Sequence, residues 1–159
     1  MTDQTANPMA EDVSPQAALR ALLATDFASF IRYTFGVLRP GVEFRPNWHI
    51  DAMAYKLSQI ASGEVKRLII TVPPRNLKSI CASVALLAWF LGQRPSERVV
   101  AVSYSSELAK THANDFRRVV TDPLYRGAPS NIPHVTVPIW IPATGLVTCV
   151  PMMTGALFR

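Results

Sequence analysis

One stretch near the middle of the chain, residues 67–79, restricts the possible folds more than any other. Its first part, 68–72, is a short apolar run, which is typical of a buried strand. Residues 73–76 follow with two prolines, an arginine and an asparagine, and prolines keep a strand or a helix from running through them. Apolar residues then dominate 80–91, which is long enough for a helix. The stretch therefore predicts a strand, a tight turn and a helix in direct succession.

Lys78 and Ser79 stand where the turn passes into the helix, and this layout is typical of a phosphate-binding P-loop. A helix start has unpaired N–H groups and the positive end of a dipole, so it attracts phosphate oxygens. The lysine adds a full charge, and the serine hydroxyl can ligate Mg²⁺. The match to the G-x-x-x-x-G-K-[ST] pattern is incomplete, because Val72 and Leu77 stand at the two glycine positions. A plain strand-to-helix connection with a solvated lysine is the alternative.

The segment 73–79, Pro-Pro-Arg-Asn-Leu-Lys-Ser, resembles the deviant P-loop of phage terminase large subunits, the ATP-driven motors that pump DNA into capsids. Two flanking blocks agree with this resemblance. Residues 46–49, Pro-Asn-Trp-His, are similar to the family's segment near the adenine, and residues 98–110 are similar to its next strand and helix. The likeness covers about residues 20–126 and implies the N-terminal part of the ATPase domain.

The resemblance implies a role for each residue of the loop. Lys78 binds the β- and γ-phosphates, Arg75 senses or stabilises the γ-phosphate, and these two are the catalytic candidates. Ser79 is the expected Mg²⁺ ligand, and the backbone N–H groups of Asn76 and Leu77 line the phosphates. The whole expected nucleotide site comprises Trp48, His49, Pro74, Arg75, Asn76, Leu77, Lys78 and Ser79. The implied ligands are ATP and Mg²⁺, and the partners in an intact motor are duplex DNA, the portal and the small terminase subunit.

Trp48 and His49 belong to this site only through the resemblance. An aromatic ring and a polar edge in the first turn of a helix can stack on adenine and hydrogen-bond to it. A tryptophan at a helix start that packs on the core is the alternative.

The order of the predicted elements indicates an α/β protein. Apolar strands at 68–72 and 99–102 alternate with helices, which predicts an incomplete, P-loop NTPase-like parallel sheet with flanking helices. N-terminal helices precede it. Helix starts are predicted at Ser14-Pro15, Asp26, Pro46 and Ser105 or Ser106, with helix ends at Gly63 and Asp122-Pro123.

Composition divides the chain into three parts. Residues 1–13 are polar and are expected to be flexible, and 14–126 form the ATPase portion. From 127 to 159 the only charged residue is Arg159, and prolines interrupt the apolar residues, so only short strands are expected, within 135–140 and 146–150. A truncation near residue 126 followed by a frameshifted tail would explain this change.

The chain has no carboxylate after Asp122. A P-loop ATPase needs a later acidic strand whose carboxylates hold Mg²⁺ and orient the attacking water. Glu107 lies within a predicted helix cap and is not a substitute. We therefore expect a truncated terminase large subunit that binds ATP and does not hydrolyse it alone, without the nuclease domain. The alternatives are a nucleotide-binding remnant with no motor role and a fragment of another, helicase-like P-loop ATPase.

The net charge of +5 and the pI near 9.6 suit a polyanionic partner, although a basic surface also serves solubility. Cys81 and Cys149 form no disulfide framework or zinc motif. The N-terminus does not resemble a secretory signal, and residues 80–91 are too few to cross a bilayer. These features predict a protein of the host-cell cytoplasm with no membrane partner.

Overall fold

The computed structural model describes residues 14–127 and four short strands that follow them. This part of the chain is mostly helical. Its helices are α1 (Pro15–Thr25), α2 (Phe27–Leu38), α3 (Trp48–Ser62), a π-helix (Ile80–Ala85) that continues as α4 (Leu86–Gln93), α5 (Ser106–Thr121) and α6 (Pro123–Arg126). Its strands are β1 (Ala101–Ser103), β2 (Val135–Thr136), β3 (Ile139–Trp140), β4 (Val147–Cys149) and β5 (Met152–Met153). The predicted flexible segment 1–13 and most of the predicted tail lie outside the described residues.

Side-chain caps begin three of the helices as predicted. An oxygen of Ser14, Asp26 and Ser105 accepts a hydrogen bond from the backbone N–H three residues later, at 3.2, 2.8 and 3.5 Å respectively. Such caps satisfy N–H groups that have no partner within the helix. The third helix differs, since α3 begins at Trp48 rather than Pro46 because the extended residue Asn47 takes the N-cap position.

Two glycines in open space have different backbone conformations. Gly63 ends α3 with a φ of 85°, whereas Gly36 lies inside α2, and an added Cβ at either would meet no atom within 4 Å. We expect Gly63→Ala to lower the free energy of unfolding by about 1 kcal/mol, because left-handed backbone is costly for an L-residue. We expect Gly36→Ala to raise it by about 0.5–1 kcal/mol through helix propensity. Chemical denaturation measures both, and effects of the same sign would contradict the assigned conformations.

Helix α2 lies at the centre of the core and contacts α1, α3, the π-helix and α5. Its buried residues recur at helical spacing and are Phe27, Phe30, Ile31, Thr34, Phe35 and Leu38. Cys81 and Val84 of the π-helix and Val119 of α5 are also fully buried. The core is therefore built between helices, and no large sheet takes part in it among the described residues.

The predicted parallel sheet is wrong. Residues 68–72 form neither a helix nor a strand, and among the described residues no neighbouring strand hydrogen-bonds to them. The second predicted strand is shortened to β1, which pairs antiparallel with β4, and the pairs β3–β4 and β2–β5 are antiparallel as well. A strand needs ladder hydrogen bonds from a neighbour, so an apolar run that finds no neighbour does not form a strand.

Hydrogen bonds from aromatic side chains join distant helices. The Tyr33 hydroxyl donates to Oδ1 of Asp122 at 2.6 Å, and the same oxygen accepts from the Leu124 N–H at 2.9 Å. Nε1 of Trp89 donates to the carbonyl of Leu23 at 3.0 Å, near the end of α1. The last carboxylate of the sequence, Asp122, therefore joins α2 to the start of α6.

No single helix in the described part of the chain has the length and apolarity to cross a membrane. Helices α1 and α2 together have the required length and apolarity, but they are bent by 113° relative to each other.

Candidate phosphate-binding site

The loop that precedes Lys78 has an unusual backbone. Arg75 and Leu77 have positive φ angles, 67° and 56°, and Asn76 between them does not. Left-handed backbone at a residue other than glycine costs on the order of 1–2 kcal/mol and is often found at functional sites. The Asn76 side chain holds the turn, because its Nδ2 donates to the carbonyls of Pro73 at 3.0 Å and Pro74 at 3.3 Å.

Alternation in the sign of φ is a feature of nests, in which successive backbone N–H groups converge on an anion-sized concavity. Pro74 and Arg75 form a hydrogen-bonded turn, and among the described residues no acceptor with good hydrogen-bond geometry is paired with the N–H group of Leu77. Leu77 stands at a glycine position of the P-loop pattern, and its φ of 56° lies in the region that glycine adopts readily. The loop therefore has a glycine-like conformation although its sequence has no glycine.

The sequence on both sides of the loop carries an excess of positive charge. Residues 65–96 contain five basic side chains and no Asp or Glu; the five are Lys66, Arg67, Arg75, Lys78 and Arg94. Arg75 and Lys78 are exposed, and neither has a salt bridge within the described part of the chain. A negatively charged ligand would thus meet cations whose charge is not already neutralised by a neighbouring carboxylate.

An open cavity of about 370 Å³ lies beside the start of this helix. Its walls come from α3, from the segment 68–70 and from the helix after the loop. The lining residues are Leu57, Ile60, Leu68, Ile70, Lys78, Ser79, Ala82, Ser83 and Leu86. Leu68 and Ile70 face the cavity, whereas Ile69 between them is 91% exposed. The cavity thus has largely aliphatic walls and a cationic and hydroxyl-bearing edge.

The structure brings only part of the predicted site together. Pro74 to Ser79 form the loop and the helix start, and Lys78 and Ser79 reach the cavity. The cavity touches α3 at Leu57, nine residues beyond Trp48, which corresponds to about 14 Å along the helix axis.

Trp48 and His49 lie next to each other at the start of α3. Their ring centroids are 6.2 Å apart, with the planes at 89°. Trp48 is 79% exposed, so the alternative that it packs on the core is wrong. His49 is half-buried, and its Nε2 has no hydrogen-bond partner among the described residues. The assignment of both residues to adenine stays a prediction.

Sequence reasoning did not identify the aliphatic walls of the cavity. The pattern predicts ordinary core positions at the four aliphatic lining residues, because periodicity does not show that two apolar segments leave a gap between them. These residues are Leu57, Ile60, Leu68 and Ile70. The sequence did contain one indication of a polar edge at the helix start: Ser83 follows Ser79 by four residues and thus lies close to it on the helix surface.

The residues around the loop do not form a magnesium site by themselves. Mg²⁺ is usually held by one or two carboxylates together with substrate phosphates, and Ser79 supplies a single hydroxyl oxygen. No Asp or Glu lines the cavity, and within the described ranges no group of three or more His, Cys, Asp and Glu could hold a metal ion. Any Mg²⁺ at this position would therefore depend on the phosphates of a nucleotide for most of its ligands.

Comparisons of the chain with protein-family models, curated proteins and solved structures found no match. The likeness to terminase large subunits therefore rests on the three sequence blocks alone.

Proposed function

We propose that the loop 73–79 binds the phosphate groups of ATP, as the nucleotide-binding part of a terminase large subunit. The observation that carries this proposal is the left-handed backbone at Arg75 and Leu77, directly before the exposed Lys78 and Ser79 at the helix start. The resemblance to the terminase loop supports it independently. The proposal depends on the local geometry of the loop and does not require the parallel sheet, which is absent from the part of the chain that the structure describes.

Each side chain of the loop has a distinct role in this proposal. Lys78 contributes a point charge to the β- and γ-phosphates, and Arg75 contributes a planar guanidinium that suits the terminal phosphate. The Ser79 hydroxyl is available to a phosphate oxygen or to Mg²⁺ carried by the nucleotide. These cations are exposed and have no carboxylate partner in the described part of the chain, so binding ATP requires no existing ion pair to break.

We propose binding without hydrolysis. Hydrolysis needs a group that orients or deprotonates water, and no carboxylate lines the cavity. Asp122, the last carboxylate in the sequence, is held by Tyr33 and by the start of α6. We expect no release of phosphate from ATP by this chain, with or without duplex DNA, in a phosphate-release assay. Turnover that depends on Lys78 would contradict this part of the proposal.

The experiment that tests phosphate binding compares inorganic tripolyphosphate and ATP by calorimetry. We expect Lys78→Ala to weaken the binding of both ligands by about 10- to 100-fold, because charge-assisted hydrogen bonds typically contribute about 1.5–3 kcal/mol. Lys110→Ala is the matched control, since it removes one exposed positive charge from α5 without changing the loop. Equal losses in the two variants would show that only net charge matters, and the absence of binding to the wild-type chain would refute the proposal.

Participation in packaging is the wider part of the proposal. Duplex DNA, the portal and the small terminase subunit would be partners of the intact motor, of which this chain carries the nucleotide-binding portion. A nucleotide-binding remnant without a motor role is the alternative, and the helical fold favours it because the predicted parallel sheet is absent among the described residues. A change in the affinity for ATP when duplex DNA is added would favour the interpretation that the chain is part of a motor.

A further inference from the structure

We infer that the open cavity beside Lys78 receives the nucleoside of the bound nucleotide and that it does not distinguish adenine from guanine. This inference rests on the proposed function, because the phosphates at the loop bring the nucleoside to the cavity. It assigns the base to the aliphatic side of the helix start rather than to Trp48.

The position and size of the cavity carry the first step. Lys78 and Ser79 belong to both the loop and the cavity, so a ligand bound at the loop has the cavity next to it. Its volume of about 370 Å³ falls within the range of small-molecule sites, which are concave and mostly apolar with a few polar groups. The side chains of Leu68 and Ile70 line it from the segment that follows α3, and those of Leu57 and Ile60 line it from α3 itself, so a base in the cavity would contact aliphatic groups from two segments.

The chemistry of the walls carries the second step. Recognition of one purine over another requires donors and acceptors at the edge of the base, and the far walls of the cavity are aliphatic. The polar groups are Lys78, Ser79 and Ser83, and the first two are engaged by the phosphates in the proposed function. The remaining hydroxyl, that of Ser83, can donate or accept a hydrogen bond, so it suits the edge of either base.

Trp48 is the competing position for the base. It lies about 14 Å along α3 from the level of Leu57, its ring is 79% exposed, and His49 is its one aromatic neighbour among the described residues. A base at Trp48 would leave the cavity empty, whereas a base in the cavity would leave Trp48 in solvent.

The test uses calorimetric titration of the full chain with tripolyphosphate, ATP and GTP. We expect the wild-type chain to bind ATP about tenfold more tightly than tripolyphosphate, because the nucleoside buries apolar surface. ATP and GTP are expected to bind within about threefold of each other. Equal affinity for ATP and tripolyphosphate, or a tenfold preference for either base, would overturn the inference, and neither measurement requires a variant.

Variants locate the base. Ala82→Phe fills the cavity and should abolish the advantage of ATP while leaving the affinity for tripolyphosphate unchanged. Ala52→Phe, on the exposed face of α3, is the matched control and should leave both affinities unchanged. Trp48→Ala should also leave them unchanged, and a loss of the ATP advantage in Trp48→Ala alone would overturn the inference in favour of Trp48.

Failure of the inference and failure of the proposed function are distinguishable. Tripolyphosphate binding that depends on Lys78 supports the proposed function whatever the nucleoside results are. If tripolyphosphate binds and ATP gains nothing, only the inference about the cavity fails. If neither ligand binds to the wild-type chain, both fail together.

Discussion

Replacing Ile31 with alanine is expected to lower the free energy of unfolding by about 3–4 kcal/mol. Ile31 is 0% exposed and lies in α2, the helix that contacts α1, α3, the π-helix and α5. Truncation removes buried methyl and methylene groups and leaves a cavity that helices packed on several sides cannot easily close. Urea denaturation measures the loss as a lower midpoint at an unchanged slope.

Leu22→Ala provides the control for this prediction. Leu22 is also a helical aliphatic residue, but its side chain is 48% exposed, so its truncation should cost less than about 1 kcal/mol. A similar loss in both variants would show that α2 is not the centre of the core.

Raising the pH from 8 to 11 is expected to lower the free energy of unfolding by about 4 kcal/mol. Burial raises the pKa of the Cys81 thiol from 9.0 to about 11, and it raises the pKa of the Tyr125 hydroxyl above its ordinary value of 10.0. Between pH 9 and 11 the unfolded chain loses these protons while the folded chain keeps them, so stability falls as the pH rises. Cys81 contributes about 2–3 kcal/mol over this range, and Tyr125 about 1.4 kcal/mol for each pH unit above 10.

Tyr33 also makes the stability fall as the pH rises. Burial and the hydrogen bond to Asp122 raise its pKa, so its contribution is also present below pH 10 and is lost above it. Because Tyr33 is only half-buried, solvent screening makes its share smaller than that of Tyr125.

Unfolding in urea at pH 8, 9, 10 and 11 measures the alkaline loss. Cys81→Ala should remove most of the decline between pH 9 and 10, where the thiol contributes more than the tyrosines, although the cavity that the substitution leaves lowers the stability at every pH. Tyr125→Phe should make the decline above pH 10 shallower, and it also removes the 2.7 Å hydrogen bond from the hydroxyl to the Ala88 carbonyl. A decline that is the same in both variants as in the wild-type chain would contradict the assignment.

Predictions that depended on neighbouring residues were largely correct. The caps at Ser14, Asp26 and Ser105 and the helix end at Gly63 are present, because each is formed within one turn of helix. The turn ahead of Lys78 was also expected from its prolines and from the residues that follow. Its positive φ angles at Arg75 and Leu77 were not expected, since neither residue type favours left-handed backbone.

The failure of the sheet has a different origin. The apolar runs at 68–72 and 99–102 have the composition of buried strands, and composition cannot tell whether a neighbouring strand exists. The structure pairs β1 antiparallel with β4 and leaves 68–72 beside α3 and the π-helix, with the cavity between them. A parallel sheet requires several segments from distant parts of the chain, and that requirement is not visible in any one of them.

The sequence by itself determined where most helices begin and end, which residues of α2 face the core, and that a cationic loop precedes a helix at Lys78. These properties follow from hydrogen bonds and periodicity within a few residues. Only the tertiary structure decided that Lys78 shares a cavity with Leu57 and Ile60 rather than with Trp48, and that the segment 68–72 has no parallel neighbour among the described residues. Those outcomes depend on how separate segments pack, because burial of apolar surface is set by the whole chain at once.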